Sequence, residues 1–204
     1  MRTFFIKILF IIPFAINAQS KDKTFELGTV VSDTNFLDKT IASKMGVQNI
    51  FKSKNTIEIR LYSDKSINNP WCAILWYSAN RKIWIATKYT YDTQKSQLLM
   101  KNPQSSISLD TIFKLLTSYN IFSLRSHDQL PTTKYSIDLK SNSLVFLETT
   151  VMDGVCYTIE FKALDAYRQY SYCNPAEYLK SLPNTHEFKD FVDILNIFKT
   201  LENE

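Results

Sequence analysis

The chain has 204 residues and a formal net charge of +4, its 24 Lys and Arg scattered among 20 Asp and Glu. A balance this even, without any run of basic residues, gives no electrostatic footprint for nucleic acid. Three glycines in the whole chain argue against glycine-rich phosphate loops, whereas fourteen phenylalanines and eleven tyrosines supply a dense core.

The N-terminus has the layout of a secretory leader. Arg2 and Lys7 are positive, residues 8–16 form an apolar run, and Ala18 precedes Gln19-Ser20. The run is shorter than the roughly 20 residues a membrane helix needs, and Pro13 and Asn17 interrupt it. The expectation is cleavage near Ala18 and export of a single globular domain, residues 19–204, to the periplasm or the medium.

Thr24 to Val31 is a candidate short strand. Ser32-Asp33 can cap a helix through Met45, with Phe36, Leu37, Ile41 and Met45 on one side and Gly46 as its stop. Thr56 to Tyr62 alternates as a strand with Ile57, Ile59 and Leu61 inward. Trp71 to Ser78 and Arg81 to Tyr91 form a hairpin about Ala79-Asn80. Its two faces are both apolar, one carrying Cys72, Ile74, Trp76, Ile83 and Ile85, the other Trp71, Leu75, Tyr77 and Trp84. Residues 94–108 read as a long polar connection. Ser108 caps a helix over 109–119, with Asp110 near its positive end.

Tyr135 to Cys173 reads as a four-strand antiparallel meander. A turn at Ser141-Asn142 sets Ile137 opposite Phe146. An Asp153-Gly154 turn, of the kind that favours positive φ, sets Glu148 opposite Ile159 and Phe146 opposite Phe161. A turn over 163–166 sets Phe161 opposite Arg168, Ile159 opposite Tyr170 and Cys156 opposite Cys173. Cα atoms directly opposite lie about 4.5–5.5 Å apart, within reach of a disulfide; Cys72 is then left as a small buried hydrophobe. Tyr135, Ile137, Leu139, Leu144 and Phe146 fall on the face expected to be core, and Glu160 on the other, partly solvated one. After Asn174-Pro175 comes an irregular stretch, then a helix over 187–201, capped by Asn184 or Thr185, with Phe188, Phe191, Val192, Leu195 and Phe198 as its buried stripe. The expected fold is α+β: about seven antiparallel strands with two or three helices on the apolar face.

The sequence carries none of the nucleophile-elbow, zinc-helix, paired-cysteine or calcium-loop motifs, so no catalytic residue, metal or cofactor is assigned. The His127-Asp128 pair sits in a polar loop and is read as solvated. Glu148 is the odd carboxylate on an apolar face, where it needs a partner. With Tyr157, Arg168 and Tyr170 it defines one candidate ligand cavity, against the plainer reading of a satisfied core carboxylate. Trp71, Tyr77 and Trp84 define a second candidate, an aromatic face for stacking sugars, against the plainer reading of a second core layer. The leading expectation is an exported non-catalytic binding or interaction module of the cell envelope or secreted fraction, taking a small ligand, a glycan or an envelope protein. A hydrolase of envelope polysaccharide or peptide, drawing a carboxylate pair from Glu148, Glu160, Asp153 and Asp128, is the alternative. A structural or assembly accessory is the third.

Overall fold

The computed structural model describes residues 45–64, 69–151, 154–164 and 166–202. The leader, the strand expected over 24–31, the helix expected before Met45 and the Met152-Asp153 half of the expected turn lie outside the described residues. Within them the fold is α+β, as expected.

Eight strands alternate with short connections: β1 (Ile57–Asp64), β2 (Trp71–Ser78), β3 (Ile83–Asp92), β4 (Gln97–Lys101), β5 (Thr133–Asp138), β6 (Ser143–Glu148), β7 (Cys156–Ala163) and β8 (Ala166–Cys173). Helices α1 (Leu109–Ser118), α2 (Pro175–Ser181) and α3 (His186–Lys199) complete the described chain, with short 3-10 turns between. Six strands form one antiparallel sheet in the order β4-β3-β2-β1-β7-β8; among the described residues β5 and β6 pair only with each other.

The alternation of β1 explains why two layers can form on the large sheet. Ile59 and Leu61 face the helices and join Ala73, Leu75, Ile159, Phe161, Tyr170 and Tyr172 in the main core. From the helix side come Ile112 and Leu116 of α1 and Phe188, Phe191, Ile194, Leu195 and Phe198 of α3. Tyr172 stacks on Phe191 with centroids 4.0 Å apart. Ser108 caps α1 by accepting from the Thr111 N–H at 3.1 Å, and Asp110 sits in its first turn. The opposite face of the sheet is covered too: Met45, Tyr62, Cys72 and Ile74 form a second buried cluster, and burial pushes the free Cys72 thiol far up.

Several expectations need correcting. Residues 94–108 contain the edge strand β4, whose Gln97-Leu98-Leu99-Met100-Lys101 pairs with β3. The polar flanks of that segment obscure a five-residue strand. Part of the stretch after Asn174-Pro175, expected to be irregular, is α2, with Pro175 at its start, where a proline costs no hydrogen bond.

The meander is broken in the middle. The β7–β8 register is as expected, with Phe161 opposite Arg168, Ile159 opposite Tyr170 and Cys156 opposite Cys173; Cys156 and Cys173 are disulfide-bonded. The other neighbour of β7, however, is β1 and not β6. The β1 register sets Arg60 opposite Glu160 and Glu58 opposite Lys162, whereas a β6 partner sets Glu148 against Ile159. Cross-strand charge pairing therefore favours β1. In the β5–β6 hairpin Ile137 faces Leu144 and Tyr135 faces Phe146, two residues from the expected register. An even slip preserves the faces.

Gly46 takes a positive φ of 60°, whereas the role of Gly154 is close approach. A Cβ on Gly154 meets Asn174 Oδ1 at 1.5 Å, the same oxygen that accepts from the Val155 N–H at 2.9 Å. Asn174 itself holds φ +50°, a left-handed conformation that asparagine tolerates.

Candidate functional site

The β5–β6 ribbon stands out because it forms a sheet without acquiring a core. Its strands are rich in β-branched and aromatic residues. Its loop is locked by Asp138, whose carboxylate accepts from the Lys140 N–H (2.9 Å) and the Ser141 hydroxyl (2.7 Å), and by Asn142 at φ +50°. At the base, the Thr149 N–H donates to the Thr132 carbonyl at 2.9 Å. Among the described residues, the ribbon's hydrogen bonds all stay within 132–149.

One face of this ribbon carries the rungs Tyr135–Phe146 and Ile137–Leu144, with Glu148 following on β6. These side chains were expected to be core and are not: Tyr135 is 67% exposed, Phe146 68%, Ile137 and Leu144 65% each, and Leu139 at the tip 89%. The opposite face is more polar, with Lys134 and Ser136 exposed and Leu147 and the half-buried Val145 as its apolar exceptions. Contiguous apolar exposure of this extent marks an interaction surface. The open edge of β4 is a smaller second patch, with Leu98, Leu99 and Met100 exposed. At the other end of the sheet the segment from Ile121 to His127 lies along β8. The Ser171 N–H contacts Ser126 Oγ at 3.5 Å and the Cys173 N–H donates to His127 Nδ1 at 3.2 Å.

The first candidate set is divided by the fold. Tyr157, Arg168 and Tyr170 share the helix-facing side of the large sheet, while Glu148 lies exposed on the ribbon. Arg168 donates to the Phe122 carbonyl at 2.7 Å and to the Leu124 carbonyl, and the Tyr170 hydroxyl donates to the Ile121 carbonyl at 2.6 Å. Tyr157 rests against Phe191, with centroids 6.5 Å apart. These contacts tie the 121–125 loop to β8.

In the second set, Trp71, Tyr77 and Trp84 do share a face, as expected, and it is the face under α1. Trp84 stacks on Phe113 at 4.3 Å, Tyr77 tilts against Trp84 at 5.3 Å, and Trp71 is buried beneath Lys88.

Two polar groups have surroundings that the sequence reading did not anticipate. Glu58 and Arg60, on the side of their strand away from Ile59 and Leu61, are buried together with Glu160, which was expected on a partly solvated face. Arg60 Nη2 lies 2.6 Å from Glu58 Oε1, and Glu160 accepts from the Tyr62 and Tyr167 hydroxyls at 3.0 Å each. Burial raises the Glu160 carboxyl above its ordinary range, against the opposing pull of Arg60 and the two tyrosines. Arg60 also donates to the Gln48 carbonyl at 2.7 Å, and Lys162 to the Ser53 carbonyl at 2.7 Å, so the cluster clamps residues 48–53 onto the sheet. The alternation Glu58-Arg60-Tyr62 was the available signal, but it also fits a solvated face. His127, read as solvated, is half-buried with its ring edge-on to Tyr178 at 4.4 Å; burial lowers its pKa despite the neighbouring Asp128. Of the carboxylates offered for a hydrolytic pair, Glu160 lies in the buried cluster, Glu148 and Asp128 are exposed on separate elements, and Asp153 lies outside the described residues.

Among the described residues no group of three or more His, Cys, Asp or Glu is placed to hold a metal ion, and no helix is long and apolar enough to cross a membrane. Comparison with protein-family models, curated proteins and solved structures returned no match.

Proposed function

We propose that the protein is an exported, non-catalytic interaction module that holds a macromolecular partner on the apolar face of the β5–β6 ribbon. The observation that carries this reading is the exposure of Tyr135, Ile137, Leu139, Leu144 and Phe146 on one continuous face. An ordinary monomer surface scatters its large apolar residues singly, and a clustered set of this size signals a partner. Export is supported by the leader-like first 18 residues and by the Cys156–Cys173 bridge, which suits an oxidising compartment.

Affinity capture from envelope and culture-medium fractions, with a second, differently tagged copy included, tests the reading. Ile137→Asp and Phe146→Asp are expected to keep the circular-dichroism spectrum and melting midpoint of the parent and to lose the captured partner. Undiminished capture by both folded variants overturns it.

A further inference from the structure

Resting on that reading, we propose that the occupant of the ribbon face is a second copy of the same chain, docked face to face with the tip of each ribbon over the base of the other. Three observations on the ribbon support a symmetric partner. The first is area. Two aromatic and three aliphatic side chains, each about two-thirds exposed or more, present on the order of 600 Å² per copy, given roughly 150–250 Å² for an aromatic side chain. Two such faces bury about 1,200 Å², the lower bound for a specific protein interface.

The second observation is charge. Between Thr133 and Glu148 the ribbon carries two lysines, Lys134 and Lys140, and two acids, Asp138 and Glu148. Its charges balance, so it has no attraction for anionic lipid or for a charged polymer. Their placement is also self-complementary. Lys140 is exposed in the loop at the tip, and Glu148 is exposed at the base, on the apolar face. The six residues from Ser143 to Glu148, five steps of strand rise, span about 17 Å. A two-fold axis lying between the faces and running across the strands sets each tip over the partner's base. Each Lys140 then meets a Glu148 of the other copy.

The third observation is shape. The same axis stacks the bulky Tyr135–Phe146 rung of one copy on the smaller Ile137–Leu144 rung of the other, the interdigitation that face-packed sheets require. A tip-over-tip arrangement instead brings Lys140 against Lys140 and Glu148 against Glu148, and is disfavoured by both pairs.

Sedimentation velocity on the processed chain at low ionic strength, over a concentration series, is the test. Self-association with a dissociation constant on the order of 10 μM is expected from an interface at the small end of the range. Ile137→Asp is expected to leave only monomer. Lys140→Glu alone and Glu148→Lys alone should each weaken association roughly tenfold by facing like charges. Mixing the two single variants, or combining them in one chain, should restore it. A chain that stays monomeric at 200 μM, roughly twenty times that constant, overturns the self-docking. The wider reading survives that result only if the folded Ile137→Asp variant still loses a captured partner of another kind. A dimer indifferent to Ile137→Asp and to both charge reversals overturns the proposed geometry as well as the ribbon's role in it.

Discussion

Two hairpins follow one another along the chain, similar in composition and opposite in fate. In β7–β8, Ile159, Phe161, Tyr170 and Tyr172 are buried beneath α3. In β5–β6, Tyr135, Ile137, Leu144 and Phe146 are arranged on their strands in the same alternation and are two-thirds exposed. The difference lies in what the neighbours supply. β7 is flanked by β1 and β8 and roofed by helix side chains; among the described residues the ribbon pairs only with itself. Both hairpins are built of residues suited to burial, and on the proposed reading the ribbon is half of a core whose other half belongs to another molecule.

Substitutions in the buried hairpin and its surroundings should have the largest effects. Phe191→Ala removes the ring stacked on Tyr172 and should cost about 3–5 kcal/mol, read from the urea midpoint. Next in size is Arg60→Met, which leaves Glu58 and Glu160 buried without their cation. A loss of about 3 kcal/mol is expected, largely recovered when Glu58→Met and Glu160→Leu are added. Recovery shows that the cost of Arg60→Met comes from the buried carboxylates left without their cation. Replacing both Cys156 and Cys173 with serine opens the cross-link in β7–β8. The chain-entropy account gives about 3 kcal/mol for a closed loop of this size. Amide exchange should rise in β7–β8 while the ribbon stays as it was, because no bond among the described residues joins the two.

The smallest effect is on pH. Burial holds His127 below its ordinary pKa, so the folded state binds fewer protons there than the unfolded chain. Its contribution is fully present above about pH 6.5 and lost as pH falls through the lower folded value. Glu187 acts in the same direction: burial alone would raise its pKa, but the hydrogen bonds and charge of Arg125, with its other partners, lower it. Its contribution is present above about pH 4.5 and fades as pH falls. Glu160 works the other way, because its folded pKa is raised; the stability it contributes in the protonated form is lost as pH rises from about 4.5 through the folded value. His127 thus lowers urea midpoints as pH falls from 7.5 to 5.5, with Glu160 opposing it, and His127→Asn should make the midpoint fall less, or rise, over that range relative to the parent.

What the sequence made legible was local. The β2–β3 pairing was legible as a pairing, although Ser78 faces Ile83 and the turn spans 79–82 rather than Ala79-Asn80; the Ala163–Ala166 turn, the Cys156–Cys173 bridge and the Ser108 cap all depend on residues near in the chain. Their alternation and turn chemistry sufficed. What it hid was non-local. Nothing in the alternation of Thr56 to Tyr62 announces that β1 sits beside β7, about a hundred positions away. Once that pairing is missed, β6 seems the natural neighbour of β7, and Tyr135, Ile137 and Phe146 are assigned to a core that they do not reach. The same omission misplaced Glu148 and left Glu160 on a solvated face. Apolar alternation shows that a face is suited to burial and leaves open what buries it.

The central claim is that the ribbon face serves association and not the folding of its own chain. Equilibrium urea unfolding of the Tyr135→Ser/Phe146→Ser double variant, at a protein concentration well below 1 μM so that the monomer is measured, tests this most directly. A stability within about 0.5 kcal/mol of the parent is expected, as for other surface changes. A loss of about 3 kcal/mol or more, the signature of a vacated core, would show that the face is already buried within the chain and would contradict it.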